Sequence, residues 1–242
     1  MWWGFMKGNS VKYLAIYEEL KQEIINGVYT VGDAFPAEPE LQQRFSVSRI
    51  TVRNAVKLLV DEGYLQRIHG VGTIVLSQKE SLQLQTLLSF TEENNDRDAH
   101  SSLYSFTESI VADTTVCSHL ELPKGAKVSC HERIRWVDGI PISFQRVYCP
   151  SFIELSADEL EAPDASLYKL LREKGFIVTK AQETIESVIS DKQLAKCLEI
   201  EENKPLLYVE RVTRDQKDRL IEYTEFFYRG DRYRYNIQLQ VP

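Results

Sequence analysis

FPAEPELQQRFSVSRITVRNAVKLLVDEGYLQRIHGVGTIV, residues 35–75, decides the architecture of this chain. Within residues 38–45, Leu41 and Phe45 stand four apart and give one apolar helical face. Pro36 precedes that stretch, where a missing N–H costs no helical hydrogen bond. Ser46 and Val47 leave room for only a short turn, and Ser48 is a natural N-cap for a second helix. In that second helix Val52, Val56, Leu59 and Val60 recur at helical spacing, with Ala55 small enough for close packing. Arg49 and Arg53 are one turn apart, so their guanidiniums point the same way, and Thr51 and Lys57 are expected outside the apolar face with them. Gly63 ends the helix. Residues 65–68 and 73–76 have strand character and are joined by His69-Gly70-Val71-Gly72, whose glycines permit positive φ and close approach to a sugar-phosphate wall. Two helices, a tight turn and a glycine-tipped ribbon make a winged helix-turn-helix. A helix whose N-terminal end offers two arginines and two hydroxyls suits the major groove of DNA. Two surface arginines alone more often describe a solvated face; the joined pattern is what points to DNA.

Outward from this stretch, residues 11–26 place Leu14, Tyr17, Leu20, Ile24 and Ile25 on one helical face, ended by Gly27. Met1 to Ser10 holds Trp2, Trp3 and Phe5 and is read as a leader, with Met6 as an alternative start. Residues 77–88, SQKESLQLQTLL, form the expected linker; the alternation of Leu82, Leu84 and Leu87 would let it become an edge strand of a second domain. From Ser89 onward strand-like runs dominate: 104–112, 128–137, 140–148, 177–189, 206–213, 220–228 and 233–239, with helices at 166–173 and 191–198. Asp138-Gly139 between two β-rich runs predicts a hairpin. The fold class is therefore α+β: an N-terminal winged helix-turn-helix over 11–76, a linker over 77–88, and a mainly antiparallel sheet domain over 89–242.

Bulk properties fit this division. A chain of 242 residues with a formal net charge of −7 is no whole-surface polyanion binder, yet a local basic face suffices for DNA. Cys117, Cys130, Cys149 and Cys197 lie far apart without a CxxC pair and read as free thiols of a reducing cytoplasm, with no metal or cofactor motif. No apolar run approaches the roughly 20 residues of a membrane span.

Residues 35–75 resemble the DNA-binding domain of the GntR family of bacterial regulators, whose pattern runs LPSE, FxVSRxTVRxAL and EGxLxRxxGxGTFV. Pro36 and Glu38, then Phe45, Val47, Ser48, Arg49, Thr51, Val52, Arg53 and Ala55, then Glu62, Gly63, Leu65, Arg67, Gly70, Gly72 and Thr73 fill it in register. The resemblance implies operator contacts from Ser48, Arg49, Thr51 and Arg53, with His69 and Gly70 reaching toward the minor groove. Many members carry a base-reading arginine after the glutamate of the first motif; here Pro39 stands there, so the operator or its affinity should differ.

The second half resembles the UTRA ligand-sensing domain, and with it the HutC subfamily, through ERIRWVDGIPISFQRVYCP, SLYKLLREKGF, PLLYVERVTRD and IEYTEFFYRGDRYRY. That fold is shared with chorismate lyase, so fold alone does not separate sensor from enzyme. Arg133 and Arg135, two apart on a strand, face the same way, and such a pair takes either an anion or flanking carboxylates. The resemblance implies an effector site from Ser89, Phe90, Thr91, Arg133, Arg135, Gln145, Ser166, Tyr168, Glu222 and Tyr228. Gln145 stands where relatives commonly have glutamate, which disfavours a charged amine in the effector. No paired catalytic carboxylates, Ser-His-Asp set or metal cluster can be assembled. The expected protein is a DNA-binding regulator and not an enzyme: a homodimeric repressor that a sugar phosphate releases from an inverted-repeat operator, with a small carboxylate as the effector or an activator role as the alternative, and a lyase-like enzyme as a remote one.

Overall fold

The computed structural model describes residues 9–82, 99–162 and 165–235. They form two compact units: one takes the described residues up to 82 together with 232–235, the other the described residues from 99 to 231.

The first unit contains α1 (Asn9–Ile25), α2 (Glu38–Phe45), α3 (Arg49–Asp61), β1 (Leu65–Ile68), β2 (Gly72–Val75), β3 (Glu80–Leu82) and β10 (Tyr233–Tyr235). The Glu40 carboxylate accepts the Ala37 N–H at 2.8 Å and so caps the start of α2. Arg44 pairs with Glu19 and Glu23 and ties α2 to α1. Leu20 and Ile24 of α1, Leu41 of α2, and Val52, Ala55, Val56 and Leu59 of α3 pack with Tyr64, Leu65 and Val75 in one core. Each large apolar side chain buried there contributes about 1.5–3 kcal/mol. The wing pairs Leu65 with Val75 and Ile68 with Gly72. Gly70 at φ 77° and Gly72 at φ 119° hold its tip in backbone conformations that an L side chain resists.

The linker corrects one expectation. Its extended part is Glu80–Leu82, and it pairs in parallel with β10, Tyr233 opposite Glu80 and Tyr235 opposite Leu82. Among the described residues of the linker, Glu80–Leu82 is not an edge strand of the large sheet, because its hydrogen-bonding partner is β10. Leu84 and Leu87 lie outside the described residues.

The second unit is a six-stranded antiparallel sheet in the order β4 (Ala99–Val111), β5 (Lys127–Val137), β6 (Ile140–Pro150), β9 (Leu220–Arg229), β8 (Pro205–Asp215), β7 (Val178–Ile189). Asp138 and Gly139, at φ 52° and 73°, turn the predicted hairpin between β5 and β6. The first strand starts at Ala99, earlier than its composition suggests. Two short helices, α4 (Thr114–His119) and α5 (Ala157–Glu161), escape sequence periodicity because each is little more than one turn. Their caps are legible: the Asp113 carboxylate accepts the Val116 N–H, and Ser156 with Glu159 forms a capping box.

On one sheet face, α6 (Leu167–Glu173) lays Leu167 and Leu171 on Val147, Cys149 and Ile221. On the other, α4 sets Val116 and Leu120 against Val128 and Tyr223, and α7 (Lys192–Cys197) sets Leu194 and Cys197 against Ile134, Phe144 and Leu206. Between those two helices runs a polar band, in which Arg146 bridges Glu132 and Glu225 while Tyr208 and Tyr223 donate to Glu210. All four cysteines are free thiols. No helix among the described residues is long and apolar enough to cross a membrane.

Candidate nucleic-acid interface and ligand pocket

The reading helix α3 is started by Ser48, whose extended backbone lets its hydroxyl accept the Thr51 N–H at 3.4 Å. The Ser48 and Thr51 hydroxyls also share a hydrogen bond of 2.8 Å. Thr51 departs from the expected exposed face, being only 3% exposed. Its methyl joins the core side of α3 while its hydroxyl locks the cap. Arg53, His69 and Gly70 are exposed, and the Arg49 side chain is 76% exposed. The apolar stripe Val52, Ala55, Val56 and Leu59 is buried, and this rotation of the helix leaves both arginines in solvent.

One carboxylate organises the basic surface. Glu38, at the start of α2, accepts from Arg49 Nε at 3.3 Å and stands 3.6 Å from Arg67 Nη2 of the wing. Helix and wing arginines are thus held side by side around a single negative charge, leaving net positive charge for a phosphate. Such exposed pairs are worth little in stability; their effect is geometric. Arg67 and Glu38 fill motif positions but were not among the candidate contacts. An exposed arginine on a short strand carries no local signal until its neighbour across the fold is known.

In the sheet unit, strand alternation puts Arg133, Arg135, Gln145 and Tyr228 on one face: Arg133 pairs with Gln145, and Arg135 with Ser143, which pairs with Tyr228. Gln145 Oε1 accepts from both Nε and Nη2 of Arg135, at 3.1 and 2.9 Å. Arg133 is 2% exposed. Its Nη groups donate to the carbonyls of Leu160 and Ala165 and to Ser101 Oγ, and its Nε has no hydrogen-bond partner among the described residues. Burial pulls its guanidinium down to about 10, so it stays charged at neutral pH. The contact with Ala165 sets the Arg133 head beside Ser166, the N-cap of α6.

Tyr168 and Glu222 form a second group on this face. Glu222 is six residues from Tyr228 along β9, roughly 20 Å of extended strand. Arg211 Nη1 donates to the Tyr168 hydroxyl at 3.3 Å, and its Nε donates to Glu183 at 2.6 Å. Burial opposes the charge of Arg211, but Tyr168, Glu183, Tyr228 and Glu222 around it outweigh this and hold its pKa above the ordinary value. Burial, assisted by Glu222, pushes the Tyr168 phenol up to about 12. Glu222 Oε1 accepts from Thr224 Oγ1 at 2.5 Å; its Oε2 is buried without a partner among the described residues. Arg211 was not a candidate, although the alternation Val209, Arg211, Thr213 already assigned it to one strand face. Ser89, Phe90 and Thr91 lie outside the described residues.

Comparison with known proteins matches this geometry to a family. Residues 12–75 match the bacterial regulatory proteins of the gntR family, and residues 95–234 match the UTRA domain. The chain is a GntR-family regulator of the HutC type. Such a GntR regulator is a DNA-binding transcription factor and not an enzyme. The HTH-type transcriptional repressor NagR of Bacillus subtilis is 31% identical over 225 residues, 91% of either chain. A probable fructoselysine utilization operon transcriptional repressor of Escherichia coli is 29% identical over 221 residues, again 91% of either chain. The crystal structure of PhnF from Mycobacterium smegmatis superposes with a TM-score of 0.63 at 28% identity, covering 94% of this GntR chain and 100% of the other.

Proposed function

We propose that this regulator is a repressor that a small anionic effector, such as a sugar phosphate, releases from an inverted-repeat operator. The reading divides the chain into a DNA reader over 11–76, a connecting stretch over 77–88 and a sensor over 89–242. Two chains pair through the sensors and present two α3 helices, with Arg49, Arg53 and Ser48 at the major groove, Thr51 holding the Ser48 cap from the core side, and His69 and Gly70 at the minor groove.

The observation that carries the effector class is Arg133: a buried guanidinium, charged at neutral pH, whose protein hydrogen bonds go to two carbonyls and a hydroxyl rather than to a carboxylate. A buried charge of this kind is costly alone and is relieved by an anion. Arg135 and Tyr228 on the same face supply further donors, and Ser89, Phe90, Thr91, Ser166, Tyr168 and Glu222 complete the proposed site. The relatives named for fructoselysine utilization and for mannosyl-D-glycerate transport and metabolism support a sugar derivative as the signal.

Thermal-shift measurement on the full chain against sugar phosphates, amino-sugar phosphates and small carboxylates tests this. A ligand at 100 times its Kd stabilises by about 2.7 kcal/mol. The same ligand must weaken binding of an operator duplex, and the duplex must weaken the ligand by the same factor. A ligand that stabilises the chain but leaves duplex affinity unchanged refutes the inducer reading. A carboxylate as the one stabilising class refutes the sugar phosphate.

A further inference from the structure

Where α2, α3 and the wing meet, three charged side chains are held unequally. Glu38 is the first residue of α2, and its backbone is fixed on both sides. Before it, the Ala37 N–H is capped by Glu40 at 2.8 Å; after it, Pro39 has a ring-locked φ. The helix dipole favours a negative charge at this position. The Glu38 side chain is 24% exposed, against 76% for Arg49 and 46% for Arg67. The carboxylate is the seated partner, and the two guanidiniums are the ones that reach into solvent. Each carboxylate oxygen faces a different arginine: Oε2 accepts from Arg49 Nε, and Oε1 stands near Arg67 Nη2. Arg49 is engaged through Nε alone, with no other hydrogen bond or ion pair among the described residues. Its two Nη groups, the fork that pairs with guanine O6 and N7, are left unengaged.

We propose that Glu38 is a positioning residue that sets the specificity of DNA reading. By holding Arg49 through Nε, it presents the Nη fork to a base edge. By neutralising one of two guanidiniums, and by repelling phosphate itself, it weakens attraction to duplex of any sequence. Phosphate contacts supply nonspecific affinity, whereas contacts to base edges specify. A flexible, unpaired arginine takes either, because its fork matches phosphate as well as guanine. The carboxylate tilts that choice toward the base. The inference rests on the placement of Arg49 at the major groove proposed above.

The test uses the full chain carrying Glu38→Gln, Glu38→Ala, Arg49→Ala, or Glu38→Ala with Arg49→Ala. Each is titrated, across salt concentrations, onto a duplex that the unaltered chain has enriched from a random library and onto a scrambled duplex. Arg49→Ala should weaken the enriched duplex by about fivefold or more, the lower end for one bidentate base contact. An unchanged affinity there overturns the placement of Arg49, and the role of Glu38 with it. Glu38→Ala should tighten the scrambled duplex by about threefold or more and steepen its slope of log K against log salt by about one, as a released guanidinium takes a phosphate. It should also weaken the enriched duplex, so the enriched-to-scrambled ratio falls by about tenfold or more. Glu38→Gln keeps an oxygen that accepts from Arg49 Nε but carries no charge. It should share the gain on the scrambled duplex and retain more affinity for the enriched one. In the Arg49→Ala background, Glu38→Ala should no longer weaken the enriched duplex, because the arginine it orients is gone. If Arg49→Ala weakens binding but Glu38→Ala leaves the ratio within about twofold of the unaltered chain, the proposal is overturned and the placement of Arg49 stands. An undiminished effect of Glu38→Ala in the Arg49→Ala background also overturns it, since Glu38 would then act without Arg49. If Glu38→Ala melts prematurely, the isosteric Glu38→Gln decides, and an unchanged affinity and slope on the scrambled duplex overturns the proposal.

Discussion

His131 offers a quantitative check on the charge environment of the proposed pocket. It is 1% exposed and stands two residues from Arg133 on the same strand face. Burial, then the positive charges of Arg133 and Arg135, lower its pKa from 6.5 to about 3. The folded chain therefore keeps His131 neutral at any pH where it is stable, whereas the unfolded chain protonates it below about 6.5. The unfolded state binds the extra proton, so stability is complete above pH 6.5 and declines as pH falls toward 3. Between pH 7 and pH 5 this single group removes about 2 kcal/mol, a substantial part of the 5–15 kcal/mol that holds a domain together. Urea unfolding of the full chain and of His131→Asn at both pH values isolates the effect, because every other titrating group is common to the two. The unaltered chain should lose about 2 kcal/mol more than the variant over this interval. An equal loss in both would mean that His131 titrates normally and that the arginines above it do not impose the field deduced here.

Three further outcomes follow from particular contacts. Ser48→Ala removes the cap of α3 and should cost about 1 kcal/mol in unfolding free energy, together with a larger loss of duplex affinity, read by fluorescence anisotropy, as the first turn frays. Gln145→Glu places a carboxylate against Arg135 and should shift preference from glucose 6-phosphate toward glucosamine 6-phosphate by about tenfold, seen by calorimetry; an unchanged ratio would remove Gln145 from the effector site. Leu59→Ala empties a fully buried position in the reader core and should destabilise by about 2–5 kcal/mol, lowering the unfolding midpoint of the reader while the protection of sheet amides against hydrogen exchange stays as it was.

The reader was legible because its signals are local. Leu41 and Phe45, the Val52 to Leu59 stripe, the Ser48 cap and the Gly70 and Gly72 tip each depend on neighbours within a few residues. Thr51 was misplaced for an equally local reason: a β-branched residue in the first turn can serve cap and core together, and pattern alone does not reveal the hydroxyl pair it forms with Ser48. The sheet strands and their Asp138-Gly139 turn were legible by the same logic. Non-local facts were not. That Glu38 holds an arginine from α3 and another from the wing depends on three elements meeting. That Arg211 joins Tyr168 to Glu183 depends on α6 crossing the sheet. The pairing of β10 with β3 joins segments more than a hundred and fifty residues apart, and three-residue strands carry too little alternation to declare a partner.

That pairing bears on how such proteins can be recombined. The reader's core is closed on itself, so it looks like a cassette that one crossover in the connecting stretch could move to another sensor. It is not a contiguous cassette. Its compact unit includes residues from the far end of the chain, and Arg234 packs directly on Gly63. A chimera joined at one point would inherit a foreign tail against the end of its recognition helix. A working exchange has to carry both ends of the polypeptide, and the last described strand belongs, by inheritance, to the reader rather than to the sensor that precedes it.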